Sequence, residues 1–317
     1  MSHNNPWGSP GINLGPLLFL LYINDFSRAS DLLFSIIFAD DTSVFLQGTC
    51  YDTIIDIMND ELKKIGLWLR ANKLTINLKK THYMVFHRAK IKNTTKIVTI
   101  DDTCIETQCN TKFLGIIIDN KLKWNDHVSY IKNKIFKSIG IFYRARHFLN
   151  KQTLRNLYFT FIYPYLIYCV EIWGNTCAIH LDPLIKLQKK CIRIITFSDK
   201  LEHTSPLFEQ LDILCFNKLV IHRICIMMFK QSLGILPLSI NELFIKNNSL
   251  HTHNTRQNDN LHVSMGKGEI MYRTFSYHAI HIWNNISTHS TTDVSYPCFK
   301  KIAKKFIQNN DIVYRIR

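Results

Sequence analysis

Leu32-Leu33-Phe34-Ser35-Ile36-Ile37-Phe38-Ala39-Asp40-Asp41-Thr42-Ser43-Val44-Phe45-Leu46 reads as two apolar strands that meet at a pair of aspartates. The acids therefore fall on a tight β-turn. Adjacent carboxylates repel, so a site that keeps both ionised needs a counter-charge, and a hard divalent cation such as Mg²⁺ supplies one. The other reading of the same residues is a plain hairpin reversal, because Asp is common where strands turn and tolerates left-handed backbone.

Outward from this hairpin, residues 6–15 are rich in Gly, Pro, Ser and Asn and read as a loop feeding a helix from about Pro16 to Phe26. After the hairpin, Ile54, Met58, Leu62, Ile65 and Leu69 recur every three or four residues with Asp60, Glu61, Lys63 and Lys64 opposite. That is an amphipathic helix over residues 51–70, laid on a sheet. Residues 74–77 and 83–87 read as strands on either side of Lys79-Lys80-Thr81, and 96–101 and 111–118 as further strands. From Asp126 the pattern turns helical. Val128, Ile131, Ile135 and Ile139 form one face, with Lys132, Lys134 and Lys137 on the outer one; helices follow at 153–170, 184–197 and 216–231, and Pro164 breaks or kinks the first of these three. Residues 247–260 lack periodicity and read as a loop. Residues 299–308 form a short basic amphipathic helix, expected as a solvated end helix, with a nucleic-acid contact as the other reading.

With 46% hydrophobic residues over 317 positions the chain is globular rather than disordered, and long enough for more than one core. The net charge of +15 is uneven: residues 1–50 hold one Arg against four Asp, 51–150 hold 18 basic against 9 acidic residues, and 151–317 hold 20 against 11. An acidic spot in a basic body suits a metal-dependent enzyme acting on a polyanion; a charge-rich surface without a ligand is the plainer reading. The nine cysteines contain no CxxC pair and have mostly apolar neighbours, so buried, reduced thiols of an intracellular protein are expected. His251/His253 and His278/His281 have spacing that a zinc site could use, without cysteine partners nearby; ordinary polar positions are expected. The opening residues are polar, so no signal peptide is expected, and the apolar run 14–23 is too short to span a bilayer.

Four segments occur in a telling order: Leu14-Gly15-Pro16-Leu17-Leu18-Phe19 with Tyr22-Ile23-Asn24-Asp25, then Phe38-Ala39-Asp40-Asp41, then Asn77-Leu78-Lys79-Lys80-Thr81, then Phe113-Leu114-Gly115 with Ile116-Ile117-Ile118-Asp119. Together they resemble the motifs of the reverse transcriptase of non-LTR (LINE-type, jockey-like) retrotransposons. The likeness continues through Glu171-Ile172-Trp173-Gly174-Asn175-Thr176 and Leu187–Ile195 to about residue 286. It implies an α+β fold: a partial right-hand polymerase palm, with an antiparallel sheet and covering helices, over 1–124; an α-helical thumb over 125–246; and a linker with a helical tail over 247–317. It implies RNA-directed DNA polymerisation dependent on Mg²⁺ (or Mn²⁺), with an RNA template, a DNA primer or target and deoxynucleoside triphosphates as partners and no membrane.

The resemblance assigns Asp40 and Asp41 as catalytic metal ligands, Gly15 and Lys80 as substrate and phosphate contacts, and Phe113, Leu114 and Gly115 as the primer grip. A solvated turn lysine is the plainer reading of Lys80. The family's Gly-Ser pair matches either Gly8-Ser9, with three extra residues before Leu14, or Gly11 with Ile12 in the Ser position. Two-metal phosphoryl transfer needs acids from two strands. The family's first acid-bearing strand has no counterpart here, so a chain truncated at its N-terminus and inactive alone is expected. A non-catalytic nucleic-acid-binding protein, or a decayed retrotransposon fragment, is the alternative.

Overall fold

The structure, a computed structural model, describes residues 14–87, 96–250, 258, 260–263, 271–286 and 294–310, with the backbone only at Arg273. The alternatives at Gly8, Ser9, Gly11 and Ile12, the His251/His253 pair and the stretch from His253 to Arg256 lie outside these residues. The chain forms two compact units, Met1–Thr111 and Lys112–Arg317. The division falls ahead of residue 124, and residues beyond 247 belong to the same unit as the helices before them.

In the first unit, α1 (Leu14–Ile23) carries no charge and is apolar on every side. Pro16 sits in its first turn, where an amide has no helical partner to lose. Only Ile23 is buried, while Leu14, Leu17, Leu18, Leu20 and Leu21 are exposed. A 3-10 turn, Phe26–Ala29, leads to β1 (Phe34–Phe38) and β2 (Asp41–Phe45), an antiparallel pair in the register Phe34↔Phe45 to Phe38↔Asp41. Helix α2 (Tyr51–Ala71) buries Ile55, Leu62 and Ile65, with Met58 and Leu69 packed beside them. These side chains form one small core with Phe26, Leu33, Val98, Ile100 and Ile105.

Glu61 departs from the expected outer face. It is buried, accepting from Ser30 Oγ at 2.6 Å and pairing with Lys64 Nζ at 2.6 Å, contacts that hold its carboxyl below the usual range. The ion pair makes an acid tolerable beside the apolar stripe.

The expected continuous antiparallel sheet is not formed by the described residues. Four two-stranded sheets stand in its place: β1 with β2, β3 (His82–Tyr83) with β6 (Glu106–Thr107), β4 (Thr99–Ile100) with β5 (Thr103–Cys104), and β7 (Asn110–Phe113) with β8 (Ile116–Asp119). The β3–β6 pair is parallel. Residues 74–77 are irregular rather than a strand. Beyond them the amides of Lys80 and Thr81 bond back to the Asn77 carbonyl at 3.0 and 3.1 Å, so a local turn consumes groups that a ladder would need.

The second unit is helical after the β7–β8 hairpin. Its elements are α3 (Asn125–Ala145), α4 (Lys151–Phe161), α5 (Tyr163–Ile167), α6 (Val170–Trp173), α7 (Ala178–Thr196), α8 (Thr204–Gln210), α9 (Phe216–Ser232), α10 (Leu238–Asn241), α11 (Phe275–Ile286) and α12 (Tyr296–Asn309). The expected stripe of α3 is buried, Val128 through Phe142. Asn150 caps α4 by accepting from the Thr153 amide at 2.9 Å. The helix expected over 153–170 is broken near Pro164 as anticipated, into α4 and α5 with Pro164 in the first turn of α5, and α6 starts at Val170. Conversely, α7 begins at Ala178 and continues through Pro183, giving up one hydrogen bond there.

Helix α9 is the axis of this unit, buried at Phe216, Leu219, Val220, Ile221, Ile224, Cys225, Ile226, Met228 and Phe229. The Gln188 side chain ties the surrounding helices to it: its Nε2 donates to Tyr158 Oη at 2.9 Å and to the Leu214 carbonyl at 3.1 Å, and its Oε1 accepts from the Phe216 amide at 2.8 Å. Cys191 and Cys225 are buried as expected, but Cys50, Cys104, Cys109 and Cys298 are exposed, because their short strands and helix ends lie outside both cores. No helix among the described residues is long and apolar enough to cross a membrane.

Helix α12 is not the solvated end helix expected from its lysines. Phe299, Ala303 and Ile307 are buried, and the Phe299 ring stacks on Phe229 with centroids 4.0 Å apart and planes 7° from parallel. Lys304 pairs with Asp212 at 2.7 Å. Phe299→Ala should therefore destabilise this unit by about 3 kcal/mol or more. The measurement is the urea midpoint of the variant, and a shift worth less than about 0.5 kcal/mol, the range of ordinary surface changes, would mean that α12 is not part of the core.

Burial also sets a pH dependence. His127 and His278 are each pushed down to about 4 by desolvation, so both imidazoles are neutral in the folded chain near neutral pH. Unfolded imidazoles take up protons below about pH 6.5. The stabilisation is thus full above that pH and is lost as pH falls toward 4, by up to about 3 kcal/mol per histidine. His127→Gln should flatten the fall in melting temperature between pH 6.5 and 4; an unchanged slope would show that His127 is not held neutral.

Candidate active site

The acid pair occupies the end of the β1–β2 hairpin. Because Phe38 pairs with Asp41, only Ala39 and Asp40 connect the strands. A two-residue connection needs positive φ at its first position, and Ala39 has φ +52°. For a residue with a Cβ this backbone costs on the order of 1 kcal/mol or more. Strand alternation then sorts the side chains. Ile37 and Val44 pack on the core of the first unit, while Phe34, Phe38 and Phe45 are exposed on the face that also carries Asp41. Phe34 and Phe45 face each other across the strands with ring centroids 6.2 Å apart.

Asp40 and Asp41 are both exposed, and no lysine or arginine among the described residues forms an ion pair with either. In the same unit, Asp56, Asp60, Glu61 and Asp101 do have cationic partners. No group of three or more His, Cys, Asp or Glu able to hold a metal occurs among the described residues. The donor set is therefore two carboxylates. All-oxygen donors suit Mg²⁺ or Mn²⁺, and Mg²⁺ commonly keeps several waters, binding through one or two carboxylates plus substrate phosphates. These residues fit such an ion.

The other expected contacts lie on separate elements. Gly15 is in the first turn of α1. Lys80 is exposed in the Asn77–Thr81 turn that precedes β3, and no hydrogen bond or ion pair among the described residues joins it to Asp40 or Asp41.

Phe113, Leu114 and Gly115 form the β7–β8 turn and are packed with the second unit. Leu114 has φ +46° and Gly115 φ +89°, the two positive values of a type I′ hairpin. Tyr168 Oη donates to the Leu114 carbonyl at 2.5 Å, and the Ile117 amide donates to His127 Nδ1 at 3.3 Å. Asp119 closes the following loop by accepting from the amides of Lys121, Lys123 and Trp124 at 3.1, 3.0 and 2.7 Å. The strand expected over 111–118 is this hairpin, broken at Leu114 and Gly115; the resemblance marked the segment but not what holds it, because Tyr168 is 54 positions away from Leu114. Asp119 was legible in principle, as an acid two residues before a run of free amides, the pattern of an Asx-turn.

Comparison with known proteins bears on this arrangement. Residues 9–118 match the family described as reverse transcriptase (RNA-dependent DNA polymerase), a stretch that contains the acid pair, Gly15, Lys80 and the β7–β8 turn. The chain is 28% identical over 202 residues to the probable RNA-directed DNA polymerase from transposon X-element of Drosophila melanogaster, covering 61% of this chain and 22% of that one. It is 24% identical over 196 residues to the RNA-directed DNA polymerase from mobile element jockey of Drosophila funebris, covering 59% and 21%. It is 21% identical over 199 residues to the probable RNA-directed DNA polymerase from transposon BS of Drosophila melanogaster, covering 59% and 22%. The chain thus spans about a fifth of the length of these curated relatives. No solved structure matches it. The segment that holds the aspartate hairpin, residues 9–118, is thus similar to reverse transcriptases.

Proposed function

We propose that this chain contributes the acid-bearing palm hairpin and a helical, nucleic-acid-binding thumb to the RNA-directed DNA polymerase of a non-LTR retrotransposon. The observation that carries this reading is the exposed, unpaired Asp40–Asp41 pair on a strained two-residue turn inside the segment that matches reverse transcriptases. No Lys or Arg among the described residues pairs with either carboxylate, which keeps their oxygens available for a cation. A bound Mg²⁺ or Mn²⁺ would neutralise triphosphate charge and favour attack by a primer 3′ hydroxyl. Asp40 and Asp41 would hold it, and the short turn would fix their spacing.

Lys80, exposed on its own turn, would meet phosphate as a point charge. Gly15 would let the start of α1 approach the nucleotide. Phe113 to Gly115 would bear on the primer end, where a glycine permits close backbone approach. The basic surplus of residues 112–317 would bind backbone phosphates, with aromatic partners in place: Lys190 lies over Tyr143 at 5.3 Å, Arg146 over Phe197 at 5.4 Å and Lys134 over Tyr130 at 5.5 Å.

A chimera in which residues 9–118 replace the matching stretch of the Drosophila X-element polymerase tests the chemistry. Its deoxynucleotide incorporation on a primed RNA template with Mg²⁺ should fall at least 100-fold in Asp40→Asn, since loss of a charged metal ligand removes several kcal/mol of transition-state stabilisation and each 1.36 kcal/mol is about tenfold. Asp41→Asn should reduce incorporation less steeply. Activity of Asp40→Asn within about threefold of the parent would place the catalytic acid elsewhere.

The second reading, a nucleic-acid-binding protein without catalysis, is favoured by the lack of a third metal-ligating residue at the pair among the described residues. Both readings require binding. The 317-residue chain should bind single-stranded RNA and DNA without sequence preference, with log affinity falling against log salt by roughly 0.7 per phosphate contacted. Binding that ignores salt would exclude both.

A further inference from the structure

The β7–β8 turn is held from outside the hairpin. In its type I′ geometry the Leu114 carbonyl has no partner within the turn, and Tyr168 Oη meets it at 2.5 Å. The Tyr168 ring also covers Gly115: a Cβ placed on that glycine would touch Tyr168 Cε1 at 3.5 Å and Oη at 3.8 Å. Two groups of one side chain thus fix two successive residues of the turn.

Tyr168 is itself anchored. It ends α5, its amide donates to the Pro164 carbonyl at 3.1 Å, and its carbonyl accepts from Trp173 Nε1 at 2.9 Å. Trp173 is fully buried, stacked on Phe216 of α9 at 5.6 Å and edge-on to His127 at 5.4 Å. His127 accepts from the Ile117 amide on the other arm of the hairpin. The hairpin is therefore clamped at Leu114 and at Ile117 by two residues that Trp173 holds, Tyr168 through its main-chain carbonyl and His127 through its ring. The Tyr168 side of this clamp adds little burial, since Tyr168 is 49% exposed. Its contribution is the position of the Leu114–Gly115 backbone rather than the stability of the core.

We propose that Tyr168 is a positioning residue for the recessed 3′ end of a nucleic-acid primer, acting through the Leu114 carbonyl to hold the Leu114–Gly115 backbone in the conformation that meets that end. This rests on the reading of Phe113 to Gly115 as a primer contact. The hydroxyl supplies orientation and the ring supplies a wall beside Gly115. Removing the hydroxyl alone loosens the turn while leaving the ring, the anchoring bonds and the buried Trp173 untouched.

The test is Tyr168→Phe in the 317-residue chain, read three ways: amide hydrogen exchange across residues 114–117, affinity for a duplex with a recessed 3′ end against a blunt duplex of equal length, and melting temperature. Loss of one hydrogen bond should speed exchange in the turn roughly five- to tenfold. The preference for the recessed end should fall by about fivefold or more, with blunt-duplex affinity and melting temperature unchanged. Tyr168→Ala should lose the preference further.

Unchanged exchange in Tyr168→Phe overturns the proposal. Faster exchange with the recessed-end preference intact overturns the positioning role while the primer-contact reading stands. A parent chain with no recessed-end preference defeats the primer-contact reading, and the proposal with it, whatever the exchange shows. A drop in melting temperature that accounts for the whole loss of binding reduces Tyr168 to a stability residue and likewise overturns the proposal.

Discussion

A helix that buries most of its surface has to be surrounded, and in the second unit that helix is α9, buried from Phe216 to Phe229 at all but a few positions. Its demand for cover explains why α12, basic along one side, turns Phe299, Ala303 and Ile307 inward. It explains the buried amide of Gln188, which bonds the start of α9 and two neighbouring segments at once. It also reaches the hairpin: Phe216, the first residue of α9, stacks on Trp173, and Trp173 holds the carbonyl of Tyr168. A constraint of core burial is in this way transmitted to the backbone of a solvent-facing turn.

In the first unit the governing constraint is register. A connection of two residues admits one pairing of β1 and β2, and that pairing sends Ile37 and Val44 to the core and Asp41 to the open face. A slip of one residue would bury the acid and expose the core residues. The strain at Ala39 is the local cost of this register. Two adjacent aspartates without a counter-charge repel each other, and this register leaves both exposed at the end of the hairpin.

What the sequence by itself determined was whatever depends on neighbours a few positions apart. The alternation either side of Asp40 located the hairpin, and the three- and four-residue spacing of Val128 to Ile139 located α3 and its buried face. Order and spacing of the four motifs pointed to the reverse transcriptase family, and the match over residues 9–118 bears this out. Tertiary structure decided what depends on partners far along the chain. Glu61 left the solvated face because Ser30, 31 positions away, was there to donate to it. The strand expected over 74–77 gave way to a turn because local carbonyls captured its neighbours' amides. The lysines of α12 hid an inward face because the Phe229 ring that covers Phe299 belongs to another helix. Tyr168 became the support of Leu114 only once α5 brought it across 54 positions. Periodicity records which side of an element is apolar. It carries no record of which distant group will complete a hydrogen bond, and at this hairpin that is what sets the geometry.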